Sequence, residues 1–208
     1  MTDGRTIVAG AILVGGKSRR MGGGDKCLKL LGGVSLLARI IDIFRPQVHT
    51  LLLNANGDPE RFSEFGLPVK ADHFGEQEGP LAGIMTAMKW ASGIEAQWVF
   101  TVAGDAPFIP NNLVSRCLQS AFANKVEIVS VSSNKRVHPV CALWNVGLFN
   151  ELESILKETD VRKIDIWTST KNTAIEEFSA DPVDPFFNVN SLQDLEKAKP
   201  LLDKLTKS

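Results

Sequence analysis

Residues 15–26 read GGKSRRMGGGDK, placing five glycines and four cations within twelve positions. Glycine lets a backbone turn sharply and approach a ligand closely, and a run of exposed N–H groups forms a concave anion site. Lys17, Arg19, Arg20 and Lys26 add positive charge, so the ligand that suits the segment is a polyphosphate. Two common phosphate loops are excluded by spacing. The P-loop ends in Gly-Lys-[Ser/Thr], whereas this segment ends Gly24-Asp25-Lys26. The dinucleotide fingerprint needs a third glycine where this chain has Cys27, which argues against a hydride-transferring dehydrogenase.

Asp105 is the acidic counterpart. It follows the apolar run Trp98–Val102 and precedes Pro107, a placement at the carboxyl end of an expected strand. Magnesium takes one or two carboxylates together with phosphate oxygens and water, which makes Asp105 the candidate metal ligand. Asn54 and Asp72 also fall directly after expected strands, on the same edge.

The elements that must hold these groups alternate along the chain. Strands are expected at Ile7–Val14, Thr50–Leu53, Val69–Ala71, Trp98–Val102, Val126–Val131, Val140–Trp144 and Thr173–Phe178. Helices are expected at Leu36–Phe44, Leu81–Ala91, Asn112–Ala123, Leu148–Leu156 and Val161–Trp167, with a last one opened by Ser191 and capped with Asp194. This alternation predicts a Rossmann-like α/β fold, a mostly parallel central sheet with helices on both faces. Ligands of such sheets sit at the carboxyl ends of the strands. The tryptophans Trp90, Trp98 and Trp144 lie in apolar patterns and are expected in the core, while Trp167 suits either core or site.

The 208 residues, 44% hydrophobic, suffice for one domain spanning 1–208. A formal charge of −1 argues against a globally basic nucleic-acid binder. No apolar run reaches bilayer-spanning length, and Ile7–Val14 lacks the cleavage pattern of a signal peptide, so no membrane association and a cytoplasmic location are expected. Cys27, Cys117 and Cys141 are too scattered for a zinc site or disulfide framework. Cys27 adjoins Lys26, which favours a lowered pKa, yet a small buried filler is the simpler expectation.

The run AILVGGKSRRMGGGDK resembles the signature of molybdenum cofactor guanylyltransferases, LAGGxSxRMGxDK. It departs from that pattern at Val14, where alanine is usual, and by an extra glycine before Asp25. Five later segments match the same family in order: LLLNAN at 51–56, GPLAGI at 79–84, GDAPFIP at 104–110, HPVCALW at 138–144 and FFNVNS at 186–191. The resemblance implies a nucleotidyltransferase that moves GMP from GTP to molybdenum-molybdopterin and releases pyrophosphate, with magnesium as cofactor. It implies nucleotide contacts from Leu13, Val14, Gly15, Gly16, Arg19, Lys26, Asn54, Asp72 and Asp105, with Lys26, Arg20 and Asp105 as the catalytic set. Either Asn188 or Asn190 is expected to complete the metal site. Arg136, His138 and Lys163 are candidates for holding molybdopterin. The resemblance further implies contact with molybdoenzymes or other cofactor-assembly proteins. Alternatives are a cytidylyl- or sugar-phosphate nucleotidyltransferase of the same fold and a non-catalytic GTP-binding carrier. The Gly15–Gly16 pair and GPLAG resemble the guanylyl branch more than the cytidylyl one.

Overall fold

A computed structural model of the protein describes residues 6–14, 25–73, 79–159 and 163–205. In chain order the elements are β1 (Val8–Leu13), β2 (Leu30–Leu31), β3 (Val34–Ser35), α1 (Leu36–Phe44), β4 (Thr50–Asn54), β5 (Val69–Lys70), α2 (Pro80–Ser92) and β6 (Trp98–Ala103). They continue with α3 (Leu113–Asn124), β7 (Ile128–Ser133), β8 (Arg136–Asn145), α4 (Phe149–Glu158), α5 (Ile164–Thr168), β9 (Thr173–Glu177) and α6 (Leu192–Leu205). The expected alternation is present, with boundaries shifted by a few residues. The β2–β3 hairpin is an addition that its short, mixed sequence did not signal.

Seven strands form one sheet in the order β5-β4-β1-β6-β8-β7-β9. All run parallel except β8, which is antiparallel to both neighbours. The central strands are apolar almost throughout because helices cover both faces. Along β1, Val8 and Ile12 enter one core with α1 and α3, while Ala9 and Ala11 enter the other with α2, α4 and α5. The helix α1 buries Leu36, Leu37, Ile40, Ile41 and Phe44 along one stripe, and the Ser35 hydroxyl accepts from Ala38 N at 3.1 Å to cap its start. Trp144 and Trp167 stack at 5.8 Å within the second core, which settles Trp167 as a packing residue.

The reversal of β8 has a local cause. Asn134 and Lys135, between β7 and β8, have φ of 48° and 61°. Two consecutive positive φ values make the tight hairpin turn that matches strand twist, and asparagine tolerates that region better than most residues. The strand β8 also starts four residues earlier than expected. Its register against β7 jumps from Val131↔His138 to Ser130↔Ala142, so Pro139, Val140 and Cys141 bulge without partners on β7. Proline lacks a ladder donor and fits such a bulge.

A third, smaller core of Leu31, Leu36, Phe108, Val183, Val189 and Ala198 ties the hairpin, the loop after β6 and α6 together. Val189 N donates to Asp105 O at 2.9 Å within it, which brings the chain before α6 to the end of β6.

The bulge leaves Val140 O to a side chain: Thr101 Oγ1 donates to it at 2.6 Å and accepts from Trp144 Nε1 at 2.8 Å. Thr101→Val keeps the volume and strands both partners. Each buried orphan costs about 1–3 kcal/mol, so urea denaturation is expected to show a loss of at least about 2 kcal/mol.

Candidate active site

The carboxyl ends of β1, β4 and β6 and the start of β8 converge on a cleft of about 540 Å³. Leu13, Val14, Asn54, Asp72, Lys26 and Asp105 all line it, as do Arg136 and His138 from β8. Gly15, Gly16, Lys17, Arg19 and Arg20 lie outside the described residues. Lys163 is exposed at the start of α5 and does not line the cleft, contrary to its expected place beside the second substrate. Its segment packs Ile164 and Trp167 inward, which leaves the lysine on the solvent side.

Two clusters divide the cleft. In the first, Lys26 forms an ion pair with Asp105 Oδ2 and donates to Asn190 Oδ1 at 2.8 Å. Asp105 Oδ1 is buried and has no hydrogen-bond partner among the described residues. Asn188 lines the same cleft. Gly104 is needed for this placement, since a Cβ there would come within 2.7 Å of Val14 Cγ1 and 3.2 Å of Leu13 O.

In the second cluster the Asp72 carboxylate is gripped from both sides. Asn54 Nδ2 donates to one oxygen at 2.9 Å and Asn56 Nδ2 to the other at 2.8 Å. Asn56 Oδ1 in turn accepts from Asp72 N at 2.8 Å. Sequence reasoning missed Asn56; its only signal was its place in LLLNAN, two residues beyond the strand. Helix α2 presses close to this cluster at Gly83, where a Cβ would come within 2.6 Å of Asn54 Oδ1.

Cys27 is buried under the first cluster, and burial pushes its thiol up to about 12, with Asp25 adding to the effect. It is a filler and not a nucleophile. Cys117 and Cys141 are buried too, and all three are free thiols.

The donor set suits a hard divalent cation that arrives with phosphates. Among the described residues no group of three or more His, Cys, Asp or Glu side chains gathers to hold a metal unaided. One carboxylate with an unpaired buried oxygen, beside amide oxygens, is instead what magnesium uses when substrate oxygens complete its shell. An orphaned Oδ1 in such a place calls for a cation or a donor.

A mostly parallel α/β sheet with a cation–carboxylate pair at its carboxyl edge is the frame of a nucleotidyltransferase. The model of the MobA-like NTP transferase domain matches residues 10–171, and the chain belongs to that family. The molybdenum cofactor guanylyltransferase of Nitrobacter hamburgensis is 44% identical over 196 residues, which is 92% of this chain and 93% of that protein. Among solved structures, the molybdopterin-guanine dinucleotide biosynthesis protein A of Archaeoglobus fulgidus shares the fold, with a TM-score of 0.75 at 21% identity over 94% of this chain and 99% of that one. A Mycobacterium tuberculosis protein solved as a complex with manganese also shares it, with a TM-score of 0.67 at 16% identity over 94% and 99% of the two chains. No helix among the described residues is long and apolar enough to cross a membrane.

His138 is the titrating group whose environment is most telling. Burial lowers its pKa below the ordinary 6.5; the nearby Asp184 opposes that shift and Arg136 adds to it. As pH falls below 6.5 the unfolded chain therefore takes up this proton before the folded one does, and stability declines in that window. NMR titration of the ring is expected to give a midpoint below 6.5, and His138→Gln to flatten the acid side of the stability–pH curve.

Proposed function

We propose that this enzyme transfers GMP from GTP to the phosphate of molybdenum-bearing molybdopterin, forming a molybdopterin guanine dinucleotide and releasing pyrophosphate. The observation that carries the reading is the pairing of two clusters in one cleft: Lys26–Asp105–Asn190 for phosphates, and Asn54–Asn56–Asp72 for the nucleoside. The names of the close relatives supply the two substrates.

The acceptor's phosphate oxygen bonds to the α-phosphorus of GTP, and the bond to the β-phosphate bridging oxygen breaks with its electron pair leaving on pyrophosphate. Nothing in this step needs a covalent enzyme intermediate. The protein's task is to align two anions and offset their charge. Lys26 neutralises Asp105, and a triphosphate offers its ammonium a second anion. Arg19 and Arg20, in the glycine-rich segment, are two further cations for the triphosphate. Asp105, with Asn190 or Asn188, would hold magnesium. Bound there, the metal supplies charge stabilisation at the phosphate oxygens. Asp72 has acceptor capacity left on both oxygens after its two amide bonds, which suits N–H or O–H groups of the nucleoside. The fixed amides of Asn54 and Asn56 keep that carboxylate from turning away.

The test is turnover with molybdopterin, magnesium and each of GTP, CTP and ATP, with detection of dinucleotide and pyrophosphate. GTP is expected to be preferred, because each polar group left unpaired by the wrong base costs about 1–3 kcal/mol, or roughly 5- to 150-fold. Preference for CTP would remove the guanylyl assignment. Asp105→Ala is expected to lose about 10²-fold or more in kcat with the fold retained; full activity in that variant would remove the metal and catalytic roles given to Asp105.

A further inference from the structure

Ser133, buried at the end of β7, donates to Asp184 Oδ1 at 2.7 Å and lies 2.8 Å from His138 Nε2. Asp184 also accepts from Phe186 N at 3.0 Å and from Asn134 Nδ2 at 3.4 Å. A carboxylate that only accepts takes the one hydroxyl proton Ser133 has. Ser133 Oγ must then accept from His138, so the imidazole carries its proton on Nε2 and its Nδ1 is bare. The ring cannot readily trade places with itself. Phe186 lies against it at 4.9 Å, and Phe186 is wedged edge-on to Phe178 at 5.5 Å.

His138 lines the cleft beside Val137, Pro139, Val140 and Phe186. Among the described residues its Nδ1 has no hydrogen-bond partner, since its polar contact runs through Nε2. The bulge in β8 falls at Pro139–Cys141, directly after His138. The result is a mainly apolar wall that carries the His138 ring, its Nδ1 left without a protein partner among the described residues, next to the cationic Arg136. Such a wall suits a flat nitrogen heterocycle that presents a ring N–H or amino hydrogen and bears a phosphate.

We propose that His138 determines specificity for the acceptor substrate: its Nδ1 receives an N–H hydrogen of the acceptor's heterocycle, and Ser133 and Asp184 are positioning residues that set the tautomer. This rests on the transfer reading above and adds which group meets the second substrate and with what polarity. The lowered pKa of the ring keeps Nδ1 free of a proton near neutral pH. A heterocycle that turns a carbonyl or bare nitrogen toward Nδ1 meets an acceptor with an acceptor and is rejected.

The experiment has two arms. The first uses protein labelled with ¹⁵N at its three histidines, with His138 assigned by the signals missing from His138→Gln. Unliganded protein is expected to show an unprotonated Nδ1 at His138, and Ser133→Ala to shift that signal toward the protonated form. A protonated Nδ1 in the unaltered protein overturns the relay. The second arm measures KM for molybdopterin and for GTP. His138→Gln puts an amide where Nε2 sits, keeps a partner for Ser133 and removes the cleft acceptor. Its KM for molybdopterin is expected to rise about tenfold with the KM for GTP unmoved. His138→Asn, whose amide oxygen falls near the Nδ1 position, is expected to recover most of that loss. An unchanged molybdopterin KM in His138→Gln, or a rise confined to GTP, overturns the role of His138 while leaving GMP transfer in place. Failure of the unaltered protein to form any dinucleotide overturns the transfer reading, and the acceptor assignment with it.

Discussion

The carboxylate of Asp105 is the point on which the site turns. One oxygen is paired with Lys26, and the other is buried with no donor among the described residues. A half-satisfied carboxylate in a protein interior is costly, and it persists only where surrounding structure holds it or a ligand completes it. Here the holding is done by backbone. Gly104 lets the strand end pass close to Val14, and Val189 N bonds the Asp105 carbonyl. The small core under α6 therefore has a chemical consequence: it delivers Asn190 to Lys26 from the far end of the chain.

The same edge of the sheet carries a second, separate constraint. Parallel strands leave their carboxyl ends together, so Leu13, Asn54 and Ala103 are neighbours without any effort from side chains. That accounts for the half of the cleft holding Asn54, Asn56 and Asp72. The other half exists because β8 runs backwards. Its amino end, and not its carboxyl end, reaches the edge, bringing Arg136 and His138 into the cleft that Lys26 and Asp105 line. One two-residue turn at Asn134 and Lys135 is responsible for that reversal.

Three sets of polar groups around the cleft are held by short side chains. Asp72 is oriented by two asparagines, Thr101 links Trp144 to the bulged carbonyl of Val140, and Ser133 joins His138 to Asp184. Thr101 and Ser133 each relay between two groups, and all three sets fix the direction of a residue in the cleft or in the strand beside it.

Much of this was legible in the chain itself. Strand and helix positions followed from apolar runs and spacing, because those patterns are local and the central strands are covered on both faces. Asp105, Asn54, Asp72 and Lys26 were legible as residues that gather at one edge of the sheet because each sits at or after a strand end or in the glycine-rich segment, and that position needs no knowledge of the partner. What the chain could not disclose was anything set by contact across long separations. The Lys26–Asn190 bond spans 164 residues, and the Ser133–Asp184 bond spans 51. The reversal of β8 escaped because Asn134-Lys135 contains no glycine to mark a hairpin, and the strand's early start was hidden by Pro139. Lys163 and Trp167 show the same limit from the other side. Their residue types suited a site, but the packing of α5 against the second core turned one to solvent and the other inward. Sequence determines which residues can do the chemistry, through local pattern and side-chain type; tertiary packing decides which of them meet, because meeting depends on the summed geometry of elements far apart in the chain.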